Sequence, residues 1–230
     1  MKLVLKFGGS VLLRDGEIDT KMIKRYVLII DQISQKHKIN IIVGGGNLAR
    51  KYIKALENLG APESFKDLAG IEISRINAQI FITALKDRAY PVPPKSFDEV
   101  IMALSSGKIV VCGGMFPGQS TNAVASFIAE EMKADQLINI TDVDYVYTDD
   151  PKLNPDAEPI EEIKIDDFIK LIMKNPGGAG TYKLFDITAA QIIKRSRILL
   201  KFVSGRDPEN ILKAVNNERV GTVVMSEIGR

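Results

Sequence analysis

Three glycine clusters, Gly8-Gly9-Ser10, Gly44-Gly45-Gly46 and the stretch 113–118, each follow an apolar, β-branched run, at 2–7, 39–43 and 109–112. Each sits where a predicted strand runs into a helix. Glycine lets the backbone turn tightly and approach a ligand, and a helix start offers unpaired N–H groups that suit phosphate. Three such turns in one small chain imply more than one phosphoryl group in one crevice, and so a kinase of small molecules.

Such a crevice needs cations. Lys6 lies two residues before Gly8 at the end of the first strand, where it could offset charge on a transferring phosphoryl group. The alternative is a solvent-facing lysine. Arg50, in the first turn of the helix after the triple glycine, could fork onto two phosphate oxygens or be a solvated surface arginine. Asp67 reads as the N-cap of a long helix, as a carboxylate for the two hydroxyls of a ribose, or as both. The segment Phe116-Pro117-Gly118-Gln119-Ser120-Thr121 is a rigid turn feeding a helix. Its backbone could read the edge of a planar base, and Ser120 and Thr121 could bind phosphate, unless the turn is only a capped helix start. The acidic loop 141–151 follows a strand. Its acids could hold magnesium through water or take up adenosine hydroxyls, and Tyr147 could stack on adenine. A solvated loop is the alternative.

Two familiar nucleotide fingerprints fail. Gly44-Gly45-Gly46-Asn47-Leu48-Ala49 fits G-x-G-x-x-A, but no strand separates it from the acid Asp67. Residues 113–120 resemble a P-loop with Gln119 at the lysine position, so the β- and γ-phosphates lack their charge partner.

The composition excludes other chemistries. The chain has 230 residues, 45% hydrophobic and 26% charged, with a net charge of +2, which predicts no strong attraction to nucleic acid. It has one cysteine, Cys112, in an apolar run, and one histidine, His37, between Lys36 and Lys38. Histidine-based zinc sites and triads are thereby disfavoured. No apolar run approaches a membrane span, residues 1–7 are too short for a signal h-region, and the expected compartment is the cytoplasm.

Elements that would carry these residues follow from periodicity. Helices are expected at 19–37, 47–59 (ended by Gly60), 67–87, 96–106, 121–133, 166–174 and 187–194. Strands are expected at 2–7, 39–43, 89–92 (closed by Pro93-Pro94), 108–112, 136–141, 199–203 and 222–225. The stretch 142–159 reads as loop or hairpin, and 175–181 as a flexible connection. The alternation predicts a three-layer α/β/α sandwich around a mainly parallel sheet, in one domain.

At this level of detail the chain resembles a family. Lys-Phe-Gly-Gly-Ser (6–10), Val-Gly-Gly-Gly (43–46) and Thr-Asp-Val-Asp-Tyr-Val-Tyr-Thr-Asp-Asp-Pro (141–151) are similar to the amino acid kinase superfamily. Residues 44–53, 65–71, 75–78 and 117–121 resemble its archaeal uridylate kinase branch. The resemblance implies the amino acid kinase fold, with an acceptor-binding lobe near 1–135 and an ATP-binding lobe near 136–230. It implies transfer of the γ-phosphoryl of ATP to UMP with Mg2+, in a homohexamer built from dimers, with neither nucleic acid nor membrane as partner. By position, Lys6 would stabilise the transferring group. Gly9, Ser10, Gly46 and Arg50 would contact ATP phosphates, with Arg50 sharing the catalytic charge. Thr141, Tyr147 and Asp150 would hold the adenosine end. Gly45, Asp67, Met115, Phe116, Pro117, Gly118, Gln119, Ser120 and Thr121 would hold UMP. Asn122 stands where many relatives have Asp, Asp142 replaces a common Asn, and Tyr145 replaces a common Gly at a turn that often wants positive φ. Other kinases of the same fold, acting on an isoprenoid phosphate, carbamate or amino-acid carboxylate, are the alternatives, as is a non-catalytic nucleotide- or oxyanion-binding protein.

Overall fold

A computed structural model of the chain describes residues 1–14, 16–151, 153–174 and 185–226. The strands among the described residues are β1 (Lys2–Phe7), β2 (Leu13–Arg14), β3 (Glu17–Ile18), β4 (Lys38–Val43), β5 (Val111–Cys112), β6 (Gln136–Thr141), β7 (Val146–Tyr147), β8 (Pro159–Ile160), β9 (Glu162–Lys164), β10 (Leu199–Ser204) and β11 (Thr222–Met225). The α-helices among the described residues are α1 (Thr20–Ser34), α2 (Gly46–Asn58), α3 (Glu63–Leu85), α4 (Phe97–Leu104), α5 (Thr121–Glu131), α6 (Ile165–Lys174), α7 (Ile187–Ser196) and α8 (Glu209–Val215).

Seven strands form one sheet in the order β5-β4-β1-β6-β10-β11-β9. All neighbours are parallel except β10 and β11. The fold is the expected α/β sandwich. Strands β1, β4 and β6 are mostly apolar on both faces because helices cover both. On one face Leu3, Leu5 and Phe7 pack with residues of α1, α3 and α8. On the other, Val4, Ile42 and Leu137 pack with residues of α4, α5, α6 and α7. Phe7 packs against both Tyr26 and Phe81, at ring-centroid distances of 5.0 and 4.8 Å, immediately before the first glycine turn.

In-register pairing brings the C-terminal ends of β1, β4 and β6 to one edge, with Phe7 beside Val43 and Ile140. All three loops that leave this edge therefore open on one crevice, the usual ligand edge of an α/β sheet.

Several expectations need correction. Helix α3 begins at Glu63 with Pro62 at its N-cap, so Asp67 lies inside the helix and does not cap it. Proline fixes φ for the entry to the helix, and the chain turns there, a turn earlier than Asp67 suggests. The expected strand at 89–92 is a single bridge, Ala89 to Ile109, and Pro93-Pro94 cannot extend a ladder. The first glycine cluster opens a 3-10 turn, Gly9–Leu12, and not an α-helix. The loop at 142–159 does hold a small hairpin of β7 and β8. Tyr145 is not among the residues of positive φ. The expected connection at 175–181 lies outside the described residues.

Candidate active site

The glycine turns interlock through bare backbone. A Cβ on Gly9 would meet Gly44 O, Gly45 C and Gly46 N at 2.2–2.5 Å, and one on Gly46 would meet Gly9 C at 2.3 Å. Gly46 also has φ of +63° as the first residue of α2. Only glycine permits both the approach and the dihedral. The ladders run on into the turns: Gly8 N donates to Ile140 O and Gly44 N to Phe7 O, each at 2.8 Å.

Helix α3 holds these turns from the side. Asn77, almost fully buried, donates from Nδ2 to Gly44 O at 2.9 Å. Ser74 Oγ accepts from Gly114 N at 2.6 Å, and Arg75 Nε donates to Gly114 O at 3.1 Å. Gly118 N donates to Asp67 Oδ2 at 2.8 Å. One rigid helix thus fixes the second and third glycine turns against each other. The anchoring roles of Ser74, Arg75 and Asn77 were missed by reading charges and caps; their polar types on a helix face otherwise packed with Ile71, Ala78 and Phe81 were the available signal.

Two adjoining cavities result. The larger, about 300 Å³, is lined by Lys6, by the turns 8–10 and 44–46, and by Arg50, Thr121, Asn139, Thr141 and Asp142. The smaller, about 170 Å³, is lined by Asp67 and other residues of α2 and α3, and by Gly114 and Gln119 of the loop before α5. Gly45, Gly46 and Thr121 belong to both. Sequence reasoning therefore named residues that the fold gathers: Lys6, Gly9, Ser10, Gly46, Arg50 and Thr141 at the larger cavity, and Gly45, Asp67, Gln119 and Thr121 at the smaller.

Other named residues lie further out. Met115 and Phe116 line an apolar pocket with Phe97, Val124 and Phe127, which shares Gln119 with the smaller cavity. Pro117 and Gly118 form the turn held by Asp67. Ser120 is the N-cap of α5: its Oγ accepts from Asn122 N and Ala123 N and donates to the Asp186 carboxylate. Tyr147 pairs with Pro159 in the hairpin, and Asp150 is buried with its carbonyl accepting from Leu153 N and Asn154 N. Neither lines the two cavities. A larger cavity, about 810 Å³, lies at the opposite edge of the sheet against Lys2, Lys38 and Lys108 and touches none of the glycine turns.

The electrostatics centre on Lys6. It is buried, and loss of hydration lowers its pKa to about 8, while Asp186 and Asp142 act in the opposite direction. Asp186, which caps α7 by accepting from Ala189 N at 2.9 Å, was not singled out from sequence. Its place before a helical run marked a cap, but nothing local showed that it faces Lys6. Cys112 is buried and its thiol is pushed up to about 12, which makes it inert. His37 stands away from the crevice, beside the N-terminal amine at 3.2 Å.

The wider comparisons agree with this geometry. The Amino acid kinase family model matches residues 1–204. A uridylate kinase of Methanobrevibacter smithii is 44% identical over 227 residues, covering 99% of this chain and all of that one. One from Methanocella arvoryzae is 44% identical, covering 97% and 99%. The crystal structure of uridylate kinase from Archaeoglobus fulgidus superposes with a TM-score of 0.84 at 40% identity, covering 97% of this chain and 100% of that one. The interlocked glycine turns, the buried lysine between them and a match that runs from the first residue to residue 204 lead to one assignment: the chain belongs to the amino acid kinase family.

Proposed function

We infer that the chain is a uridylate kinase, which moves the γ-phosphoryl group of ATP onto UMP to give ADP and UDP. The observation that carries this reading is the pair of cavities that meet at Gly45, Gly46 and Thr121 with Lys6 in the larger one. Full-length identity of about 40% to several uridylate kinases supports it.

In this reading the larger cavity takes the ATP phosphates on the N–H groups of Gly9, Ser10 and Gly46 and on Arg50. Thr141, Tyr147 and Asp150 lie toward the adenosine end, in an ATP lobe near 136–230. The smaller cavity takes UMP, with Asp67 toward the ribose and the turn 115–121 toward the base, in an acceptor lobe near 1–135. A UMP phosphate oxygen attacks the γ-phosphorus in line: a new P–O bond forms to UMP as the bond to the ADP oxygen breaks. The attacking phosphate is already ionised near neutrality, its second pKa being about 6, so no general base is needed. Catalysis is then positioning and charge stabilisation. Protonated Lys6, Arg50 and the turn amides supply both.

The residues present suit magnesium. Among the described residues no group of three or more acids, histidines or cysteines forms a metal cage. Asp142 lines the phosphate cavity, and magnesium is commonly held by one or two carboxylates, waters and substrate phosphates. Asp142 would hold it there, and the ion would neutralise β- and γ-phosphate charge.

We carry the homohexamer over as a proposal as well. Exposed Leu59, Phe65, Leu68 and Ile76 on and beside α2 and α3 offer apolar surface for it. No described helix is long and apolar enough to cross a membrane.

The test is product analysis with ATP and magnesium across UMP, CMP, dUMP, isopentenyl phosphate, carbamate and aspartate. UDP and ADP in equal amounts from UMP, well ahead of the non-nucleotide acceptors, is the expected result. Turnover of another acceptor alone, or ATP binding without any ADP, overturns the reading.

A further inference from the structure

One polar side chain in the crevice has no structural use. Asn139 lies in β6, where its neighbours in sequence are apolar, and it is 1% exposed. Its Oδ1 has no hydrogen-bond partner among the described residues. A buried amide oxygen left unpaired is destabilising by about 1–3 kcal/mol. An apolar residue would serve the fold better, since Leu137 on the same face of β6 and Phe202, the partner of Asn139 on β10, are both core residues.

On its other side, Asn139 is the register partner of Lys6 across the parallel pair of β1 and β6. In-register neighbours in adjacent strands project to the same face, with the strands about 4.8 Å apart. Both residues line the phosphate cavity, together with the turns 8–10 and 44–46. An unsatisfied carboxamide therefore stands beside the buried lysine, at the end of the cavity where the sheet meets the glycine turns.

We propose that Asn139 is a further catalytic residue, whose carboxamide bridges Lys6 and the phosphoryl group in transfer. The chemistry sets the orientation. Ionised phosphoryl oxygens only accept, so the Nδ2 amide donates to one of them. The Lys6 ammonium only donates, and Oδ1 accepts from it. The amide thereby aims the lysine and adds a neutral donor to the transferring group, and its unpaired oxygen gains its partner as the site fills. The inference rests on the phosphoryl-transfer reading given above.

The test uses the full-length protein and three measurements on each variant: steady-state kinetics with ATP and UMP, equilibrium binding of ATP, and thermal unfolding. Asn139→Leu removes both polar ends at similar volume. The expected result is a kcat about 100-fold below the parent protein, the scale on which an oxyanion donor acts. KM for UMP should stay within threefold, and the melting temperature should be unchanged or higher. A kcat within threefold of the parent overturns the proposal, and so does a fall in kcat matched by loss of folded protein. Asn139→Asp keeps the shape and the acceptor but turns a donor into negative charge. It should weaken ATP binding at least tenfold, and unchanged ATP binding together with unchanged kcat also overturns the proposal. Failure of the uridylate reading shows separately, as absence of UDP from the parent protein. The same variants are then compared on whichever acceptor the parent phosphorylates.

Discussion

Gly9 and Gly46 touch through backbone alone: a Cβ on Gly9 would stand 2.2 Å from Gly46 N, inside any tolerable contact. The loop after β1 and the loop after β4 are thereby fixed as one phosphate-facing surface, and neither can shift without the other. Gly9→Ala should lower kcat about 100-fold and destabilise the fold by about 1–3 kcal/mol, the usual cost of overpacking. Urea unfolding and steady-state kinetics check this. Near-normal values for both would show that the turns are not interlocked.

Asp67 is bound to Gly118 N and also lines the smaller cavity, so anchoring of the turn and recognition of the ribose have to be separated. Asp67→Asn should raise KM for UMP by about 10–100-fold and leave KM for ATP within threefold, the scale of one charge-assisted hydrogen bond. If the carboxylate binds the ribose, the preference for UMP over dUMP should shrink in the variant. Equal losses for both substrates would reduce Asp67 to a turn anchor.

The pH profile reports Lys6. Its charged form is the one that meets phosphate, and burial lowers its pKa to about 8 from 10.5. The charged groups that face it in the crevice are Asp186, Asp142 and Arg50. The profile of kcat/KM follows the free enzyme, so it should fall as pH rises through about 8. Bound phosphates hold the proton on, so the fall in kcat should come at higher pH. A kcat/KM that stays level to pH 9.5 would contradict the role of Lys6. The stability effect has the opposite direction. The folded state binds fewer protons than the unfolded chain between about 8 and 10.5, so this group's burial cost is relieved as pH rises through that window.

Tyr26 Oη donates to Gly205 O at 2.5 Å within the core, and neither residue lines the phosphate cavity. Tyr26→Phe should cost about 1–2 kcal/mol by urea unfolding, because Gly205 O is left unpaired, and kcat should stay within twofold. A stability change below 0.5 kcal/mol, smaller than a typical hydrogen bond, would mean that this contact does not hold α1 to the sheet.

Much of this was legible in the chain itself. The runs 2–7, 39–43 and 136–141 are largely apolar because both faces of those strands are covered, so the parallel sheet and the edge carrying Lys6, Gly9 and Gly46 followed directly. Asp67 misled on the start of α3, because an acid before an apolar run looks like a cap whether or not the helix has already begun at Pro62. The short elements β9 and α8 were not anticipated, since three to seven residues carry too little periodicity. The hydrogen bonds that Asn77 and Ser74 make to glycine turns more than thirty residues away leave no local signature. Nor does the approach of Asp186 to Lys6.

The central claim is that Lys6 acts on the phosphoryl group in flight and not on either nucleotide at rest. The most direct measurement pairs turnover with calorimetric binding of ATP and UMP in Lys6→Met. The account predicts a kcat at least 1,000-fold lower, roughly 4 kcal/mol of transition-state stabilisation, with both dissociation constants within about fivefold of the parent values. A kcat within tenfold of the parent, or a loss of binding that accounts for the whole loss of rate, would contradict it.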